Sequence, residues 1–296
     1  MRRAVALVTA RAARGLDEDM PPLLAAFAAA GADAEIVDWD DPRADWGRFD
    51  AALLRSAWDY TERLGEFLAW VGRAAAHTRL LNPEPVVRWN SDKHYLNALA
   101  DAGVPVVASQ FIEPAEPDPA AVLARFVAAH EVGEFVVKPA VGAGSRDARR
   151  HPRARQAQML EHVRPLLRAR RAVLVQPYLE SVERDGETAL IYIAGAFSHA
   201  IRKGPLLPAG GAATQALFAP EEITARRPAE EELAVAERIL AALPFEPLLY
   251  ARIDLIRDGQ GLPRVLELEL TEPSLFLTHG PGSAARLAEA ALSRVR

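Results

Sequence analysis

The stretch Tyr250–Leu270, YARIDLIRDGQGLPRVLELEL, has the pattern of two strands joined by a tight turn. Apolar and polar residues alternate on both sides of DGQG (Asp258–Gly261), which is typical of a β-hairpin. The preceding segments GETALIYIAG and AFSHAIRKG form a second such pair around Gly195. The C-terminal half is therefore expected to be an antiparallel α+β unit, with one helix from Ala229 to Leu243 between the hairpins.

The charged residues of the last hairpin are expected to share one face, because side chains alternate along a strand. A turn centred on residues 260 and 261 places Asp254 opposite Glu267 and Arg252 opposite Glu269. Carboxylates this close repel one another unless a cation lies between them, and ligand sets made of oxygen suit Mg²⁺ or Mn²⁺. The alternative is a surface ladder with an Arg–Glu cross-strand pair.

The first third of the chain alternates strands with helices. AVALVTA, AEIVDW, DAALLRSAWDY and LLNP are strand-like, and helices are expected around residues 20–30 and 61–76. This alternation predicts a parallel sheet with helices on both faces, where ligands gather at the carboxyl ends of the strands. Arg55, Trp58 and Tyr60 lie at such an end and are candidates for a substrate pocket, although strand-end packing explains them equally well.

Composition excludes several classes of protein. The chain has 296 residues, a net charge of −5 and no cysteine, so thiol chemistry and disulfides are excluded and a dedicated nucleic-acid binder is disfavoured. Its apolar runs are all shorter than the 18 residues of a membrane span, so a cytoplasmic protein without a membrane partner is expected. The arginine-rich segment Arg146–Arg155 is expected to be a solvated loop.

Lys138 ends the apolar strand EFVVKP, directly before a loop that contains Gly142 and Gly144. A lysine at the end of an apolar strand typically meets an anion, and glycines let backbone N–H groups approach phosphate closely. The loop is neither a Walker A motif nor a GxGxxG fingerprint. Taken alone, it is a weak indication of a phosphate site.

Two further segments bear on the site. NSDKHYLNALADAGVP predicts one helix that is capped by Asn90 or Ser91 and carries Lys93 in its first turn. Residues 104–112 are expected to form a strand. The segment 205–228 is rich in glycine, alanine and proline and is expected to be a long loop that could act as a lid.

The order of these motifs is more specific than any single one. Two lysines, a glycine loop, QPYL, Glu187, a basic pair, RxD and ExE follow one another along the chain. This order resembles the ATP-grasp superfamily of carboxylate ligases, in its glutathione-synthetase/RimK-type group. RSAWDY, VVKPAVGAGS, VQPYLESVERDGET and LELELTEPSLFL are similar to the D-cycloserine ligase type. The last strand reads ExE where ExN is usual, so Glu269 adds a negative charge.

The resemblance implies an α/β N-terminal parallel-sheet domain (residues 1–88) followed by an α+β ATP-grasp fold of two subdomains (89–175 and 176–296). It implies ATP contacts from Lys93, Lys138, Gly142, Gly144, Ser145, Gln176, Pro177, Tyr178, Leu179, Glu187 and Arg202. Asp254, Glu267 and Glu269 would bind two Mg²⁺ ions, and Arg252 and Lys203 would be catalytic. Arg55, Trp58, Tyr60, Glu272 and Ser274 would contact the substrate.

The implied activity is ATP-dependent ligation of a small-molecule carboxylate to an amine through an acyl phosphate, releasing ADP and phosphate. In the most similar branch the reaction is intramolecular, as in the cyclisation of O-ureido-D-serine to D-cycloserine, an antibiotic. The alternatives are an intermolecular amino-acid or peptide ligase, and a nucleotide-binding protein without turnover. An NAD-linked oxidoreductase is disfavoured because TARAARG, after the first strand, lacks GxGxxG. The sequence leaves open whether the protein is a monomer or a homo-oligomer.

Overall fold

A computed structural model of the protein describes residues 2–208, 222–245 and 248–295. The N-terminal unit is a parallel sheet in the order β2-β1-β3-β4. Both β1 and β3 are almost entirely buried because helices and loops cover both faces of the sheet, as expected for parallel strands. The predicted parallel sheet is confirmed. Its elements are β1 (Ala4–Thr9), α1 (Met20–Ala29), β2 (Asp33–Asp38), β3 (Ala51–Ser56), α2 (Leu64–Ala75) and β4 (Arg79–Leu81).

The helix predicted between Asn90 and Gly103 is present as α4 (Tyr95–Asp101), but it begins later than predicted, and a short helix α3 (Glu84–Asn90) precedes it. The predicted cap was wrong, because Asn90 ends α3, whose start is favoured by a proline in its first turn. Lys93 therefore lies in the connection between the two helices. The predicted boundary at residue 88 lies inside α3.

The central unit is an antiparallel sheet in the order β5-β8-β6-β7, covered by two helices. The predicted strand 104–112 forms only at its end, while Val106 makes a single parallel bridge to Val265. The arginine-rich segment contains a strand paired with β6, so the predicted loop was wrong there. The elements are β5 (Gln110–Ile112), α5 (Pro119–Ala129), β6 (Glu134–Pro139), β7 (Arg149–Pro152), α6 (Gln156–Arg168) and β8 (Val173–Pro177). The predicted boundary at residue 175 lies inside β8.

The C-terminal unit is an antiparallel sheet in the order β11-β10-β9-β12-β13, as predicted. The β9–β10 turn has positive φ at both Ala194 and Gly195, which matches the right-handed twist of a two-residue hairpin. The elements are α7 (Ser181–Asp185), β9 (Glu187–Ile193), β10 (Ala196–Lys203), β11 (Ile223–Arg226), α8 (Glu230–Ala242), β12 (Tyr250–Arg257), β13 (Pro263–Glu269) and α9 (Ser283–Ser293).

The predicted lid, 205–228, lies mostly outside the described residues. At its described end, β11 pairs with β10, so this part is a strand and the loop prediction was wrong there. Among the residues that the structure describes, no helix has both the length and the apolar character needed to cross a membrane.

Two apolar clusters explain how the units are held. One joins β1, α1 and β3 of the N-terminal unit to β9, β12 and α9 of the C-terminal unit. Another lies inside the central unit, between its sheet and the helices α5 and α6. The cleft between the central unit and the C-terminal sheet contains the chemically active side chains described below.

Candidate active site

The β12–β13 hairpin brings the predicted acids together. Asp254 pairs with Glu267, and Arg252 pairs with Glu269, so both predicted cross-strand pairs are confirmed. The Arg252 side chain donates to Glu269 across the ladder and to Asp254 on its own strand at 2.9 Å. The charges are only partly exposed, so the alternative of a wetted surface ladder does not describe them.

A β-bulge produces this register. Nearer the turn Leu255 pairs with Val265, so Leu266 is the extra residue on its strand. A bulge of this kind breaks the strict alternation of faces. Leu266 and Glu267 consequently line the same cavity, with an apolar side chain directly beside a carboxylate.

Cations lie between the acids. Lys203 Nζ is 2.6 Å from Asp254 Oδ2 and 3.0 Å from Glu187 Oε2, and Lys93 Nζ is 2.7 Å from Glu267 Oε1. Among the described residues, no group of three or more carboxylate or histidine side chains is arranged to hold a metal ion directly. Each acid pairs with a lysine or arginine, and this pairing explains why the carboxylates do not converge.

The ionisation of the acids follows from these partners. Burial opposes the ionisation of Asp254, yet Arg252 and Lys203 hold its pKa below the ordinary value. Lys93 likewise lowers the pKa of Glu267 against the effect of burial. Burial raises the pKa of Glu269 to about 8, despite Arg252, and that of Glu272 to about 7. The site therefore contains two carboxyl groups that readily accept a proton near neutral pH.

Asn90 was missed as a site-forming residue. Its amide nitrogen donates to Leu268 O at 2.8 Å, and its oxygen accepts from Leu270 N at 2.6 Å. The carboxamide thus continues the hydrogen-bonding edge of β13 and fixes the strand that carries Glu267 and Glu269. The only available signal was its residue type, which is equally typical of a helix cap.

The first cavity collects most residues that the resemblance assigned to ATP. Its volume is about 160 Å³. The Lys93 ammonium donates to Gly142 O at 2.6 Å, which fastens the glycine loop over the cleft. Predicted ATP residues on the wall are Lys93, Lys138, Gly142, Gly144, Ser145, Gln176, Pro177, Tyr178, Leu179 and Glu187, and Lys203, Arg252, Glu267, Glu269, Tyr60 and Glu272 also line it.

Gln176 supplies a test of whether this cavity fits a nucleotide. Its Nε2 donates to Ser109 Oγ at 2.9 Å, whereas its Oε1 is buried and has no hydrogen-bond partner among the described residues. An unpaired buried acceptor costs free energy unless a ligand donor reaches it. The exocyclic amine of adenine is such a donor, and the apolar side chains of Leu179 and Leu266 line the same wall.

A second cavity of about 410 Å³ adjoins the first. Trp58 and Ser274 line it, while Arg252, Glu269 and Glu272 line both cavities. Trp58 Nε1 donates to Glu272 O at 3.3 Å, so the N-terminal unit touches the segment after β13. The guanidinium and the two protonatable carboxyl groups therefore lie at the junction of the two cavities.

Three predicted site residues lie off the cavity walls. Arg55 is completely buried and donates to Asp19 and to Pro273 O, and its predicted role as a substrate clamp stays a prediction. Arg202 faces away from its neighbour Lys203 and donates to Asp185 O at 3.1 Å. Asp254 is buried beneath the side chains of Lys203 and Arg252.

The arginine-rich segment has structural contacts. The Arg150 guanidinium lies 3.7 Å from the centre of the Tyr178 ring and pairs with Glu134 and Glu183. Arg146 pairs with Glu62 of the N-terminal unit at 2.6 Å. These contacts hold the central unit in place near Tyr178, which directly follows β8.

Comparison with known proteins assigns the family. The profile of the N-terminal domain of D-cycloserine synthetase DcsG matches residues 5–82. The cycloserine biosynthesis protein DcsG of Streptomyces lavendulae is 43% identical over 297 residues, covering 99% of each chain. The chain belongs to the D-cycloserine synthetase family of ATP-grasp ligases.

Solved structures agree with this family. The crystal structure of D-cycloserine synthetase DcsG matches with a TM-score of 0.93 and 43% identity, covering 99% of this chain and 100% of that one. A RimK-domain ATP-grasp protein from Sphaerobacter thermophilus matches at 0.67 and 20% identity, covering 98% and 99%. The ATP-grasp ligase PsnB, solved with a phosphomimetic variant of its minimal precursor, Mg and ADP, matches at 0.64 and 18%, covering 99% and 98%. The last two support the fold alone.

Proposed function

We propose that the protein is an ATP-dependent ligase that activates the carboxylate of an amino-acid derivative and closes a ring onto a nitrogen of the same molecule. The observation that carries the proposal is the full-length similarity to D-cycloserine synthetase, at 43% identity. The reaction assigned by this similarity is the cyclisation of O-ureido-D-serine. A second cavity of about 410 Å³, large enough for one small amino-acid derivative, supports it.

The first step requires a nucleotide beside a carboxylate. Lys93 and Lys138 would bind the phosphates, with Gln176 accepting a hydrogen bond from adenine and Glu187 placed for the ribose. The substrate carboxylate attacks the γ-phosphorus, the bond to ADP breaks, and an acyl phosphate forms. Burial lowers the pKa of Lys138. A phosphate group beside this lysine would raise its pKa again and so favour the charged form.

Every donor offered by Asp254, Glu267 and Glu269 is an oxygen, which is the ligand type that suits a divalent cation. We assign these three as its ligands. Glu267 and Glu269 line the first cavity, whereas Asp254 is buried beneath Lys203 and Arg252, so the three would hold a cation together only after these basic partners had moved. When bound, Mg²⁺ would neutralise phosphate charge during the transfer. Lys93 and Lys203, which pair with these acids in the structure, would then be available to contact phosphate oxygens.

The second step takes place at the junction of the cavities. A substrate nitrogen attacks the acyl carbon, the bond from carbon to the phosphate oxygen breaks, and inorganic phosphate leaves. D-cycloserine lacks the carbamoyl group of O-ureido-D-serine, so the bond from the ring nitrogen to that group must then be hydrolysed, which releases CO₂ and ammonia. Arg252 is placed to hold the departing phosphate, and the nitrogen must lose a proton as the amide forms. The chain itself needs no covalent nucleophile, because its task is positioning and charge neutralisation.

The test is ADP and phosphate release with a panel of amino acids and ureido derivatives, with and without Mg²⁺. We expect Mg²⁺-dependent turnover with O-ureido-D-serine as the only substrate besides ATP. Each cycle should yield one ADP, one phosphate and one cyclised product. A requirement for a separate amine would favour an intermolecular ligase. Absence of turnover with every compound, together with calorimetric ATP binding, would favour a nucleotide-binding protein.

A further inference from the structure

A buried cluster beneath the second cavity has unmet bonding capacity. It consists of Asp17, Asp19 and Arg55, whose side chains are 3%, 4% and 0% exposed. Its contacts divide unequally between the two acids. That inequality identifies which acid is free to bind a ligand.

Asp19 is fully occupied. Its carboxylate accepts from the backbone N–H groups of Leu275, Phe276 and Leu277 at 2.6, 3.1 and 2.7 Å. It also accepts from Arg55 Nη2 at 3.1 Å. A carboxylate with four donors has little capacity left, so Asp19 anchors the segment after β13 to the N-terminal unit.

Asp17 is not fully occupied. Its Oδ1 accepts from Asp19 N at 3.0 Å, but its Oδ2 is buried without a hydrogen-bond partner among the described residues. The nearest guanidinium nitrogen, Arg55 Nε, is 3.9 Å away and is itself without a hydrogen bond. An orphaned carboxylate oxygen of this kind costs free energy in the unliganded protein. A ligand group that donates a hydrogen bond to Asp17 Oδ2 would remove this cost.

The charge of the cluster points to the kind of donor. Two carboxylates and one guanidinium leave a net charge of −1 in the ionised cluster. Burial raises the pKa of Asp17 above its ordinary value, and the opposing effects of Arg55 and of the Ser56 hydroxyl do not cancel this rise. Asp17 lines the second cavity, which also reaches Arg252 and Glu272 at the junction with the nucleotide cavity. A cationic ligand group would compensate the surplus charge while its other end lay at the junction.

We propose that Asp17 binds the α-ammonium group of the substrate whose carboxylate is activated beside Arg252. This inference rests on the proposed function and names the residue that selects an amino acid over a plain carboxylic acid. The ammonium would donate to Asp17 Oδ2, with Arg55 and Asp19 holding that carboxylate in position. In an α-amino acid the two charged groups are attached to one carbon, so both binding sites must lie along one short cavity.

The proposal can be tested by comparing two compounds in two variants. The compounds are O-ureido-D-serine and its analogue that lacks the α-amino group, and the variants are Asp17→Asn and, as a control away from both cavities, Asp101→Asn at an exposed position. Loss of a charged hydrogen bond is expected to lower kcat/KM for the amino compound by about 10- to 100-fold in Asp17→Asn, with KM for ATP unchanged. The analogue should react equally in wild type and variant.

The expected result is that wild type and Asp101→Asn prefer the amino compound strongly, while Asp17→Asn has lost that preference. A preference that persists in a folded Asp17→Asn variant would overturn the proposal. Calorimetry of both compounds with wild type and variant supplies a readout that does not depend on turnover. If wild type shows no turnover, the proposed function fails, and unequal binding of the two compounds that depends on Asp17 still decides the present inference.

Discussion

Lys93 Nζ lies 2.7 Å from Glu267 Oε1. Lys93, which we propose to bind phosphate, therefore neutralises Glu267, which we propose to bind the metal ion. The same relationship recurs between Lys203 and Asp254 at 2.6 Å. Without ligands, the lysines supply the positive charge that the carboxylates require. Under the proposed function, binding of a nucleotide with Mg²⁺ would exchange these partners, with the cation beside the carboxylates and the phosphates beside the lysines. Each buried charge would then keep a partner of opposite sign, which limits the cost of desolvating it.

The exchange predicts the behaviour of Glu267→Gln. This substitution removes one anionic ligand while keeping shape, so Mg²⁺-dependent turnover should fall at least about 100-fold, as expected when several kcal/mol of charge stabilisation are lost. Initial rates over a range of Mg²⁺ concentrations would measure it. The exposed Glu66→Gln is the control and should retain wild-type rates. Full activity in Glu267→Gln would remove this residue from the metal site.

Lys203 and Arg202 are neighbours on β10 that face opposite sides of the sheet, so their substitutions can be compared directly. Lys203→Met leaves Asp254 and Glu187 without their shared cation and should lower kcat about 100-fold or more, together with the melting temperature. Arg202→Met removes a contact to Asp185 O on the other face and should change kcat by no more than about threefold. Equal losses in both variants would show that Arg202 also acts on the nucleotide, as the sequence suggested.

Glu269 makes stability depend on pH. Its pKa is raised to about 8 in the folded protein, so near neutral pH the folded state binds a proton that the unfolded state has lost. The resulting stability is present at low pH and is lost as the pH rises through about 8. The melting temperature of the metal-free protein should therefore fall between pH 7 and pH 9 more steeply in wild type than in Glu269→Gln.

The same proton competes with metal, so the affinity for Mg²⁺ with a bound nucleotide should rise over this range. Isothermal titration at pH 7 and pH 9 would measure it. Identical melting profiles for wild type and Glu269→Gln would contradict the assignment.

Gly186 is required by its backbone and by space. Its φ of 68° and ψ of −170° lie in a region that only glycine adopts readily, and an added Cβ would be 2.4 Å from Lys203 O. Gly186→Ala should destabilise the fold by about 1–3 kcal/mol and lower activity, because Lys203 and Glu187 must shift. Gly259→Ala, which meets nothing within 4 Å, should be neutral in thermal unfolding and in turnover.

Sequence periodicity predicted the elements that bury one face. The pairing of Asp254 with Glu267 followed from a turn centred on residues 260 and 261, and the pair is present. Next to the turn, however, the register differs from the predicted one by one residue, because Arg257 pairs with Pro263. The extra residue at the bulge, Leu266, brings the strands into the predicted register further along. A bulge adds one residue without changing composition, so the alternating pattern could not reveal it.

Long-range hydrogen bonds limited the prediction elsewhere. Asn90 and Arg55 have residue types that suit a helix cap and a substrate clamp, but their partners lie about 180 and 218 positions away in the chain. Asp17 gave no local signal at all, because its significance lies in an oxygen that no neighbour satisfies. The roles of all the individual site residues remain predictions that the experiments above address.

The shared apolar cluster has a consequence for dissecting the protein. Because β1 and α1 pack into the same core as β12 and α9, removing the N-terminal unit would leave half of that core exposed to water. The central unit has a core of its own, so we expect that it can be exchanged between relatives without disturbing the shared core. Chimeras should therefore take both ends of the chain from a single parent, because the side chains of the shared core have to fit one another.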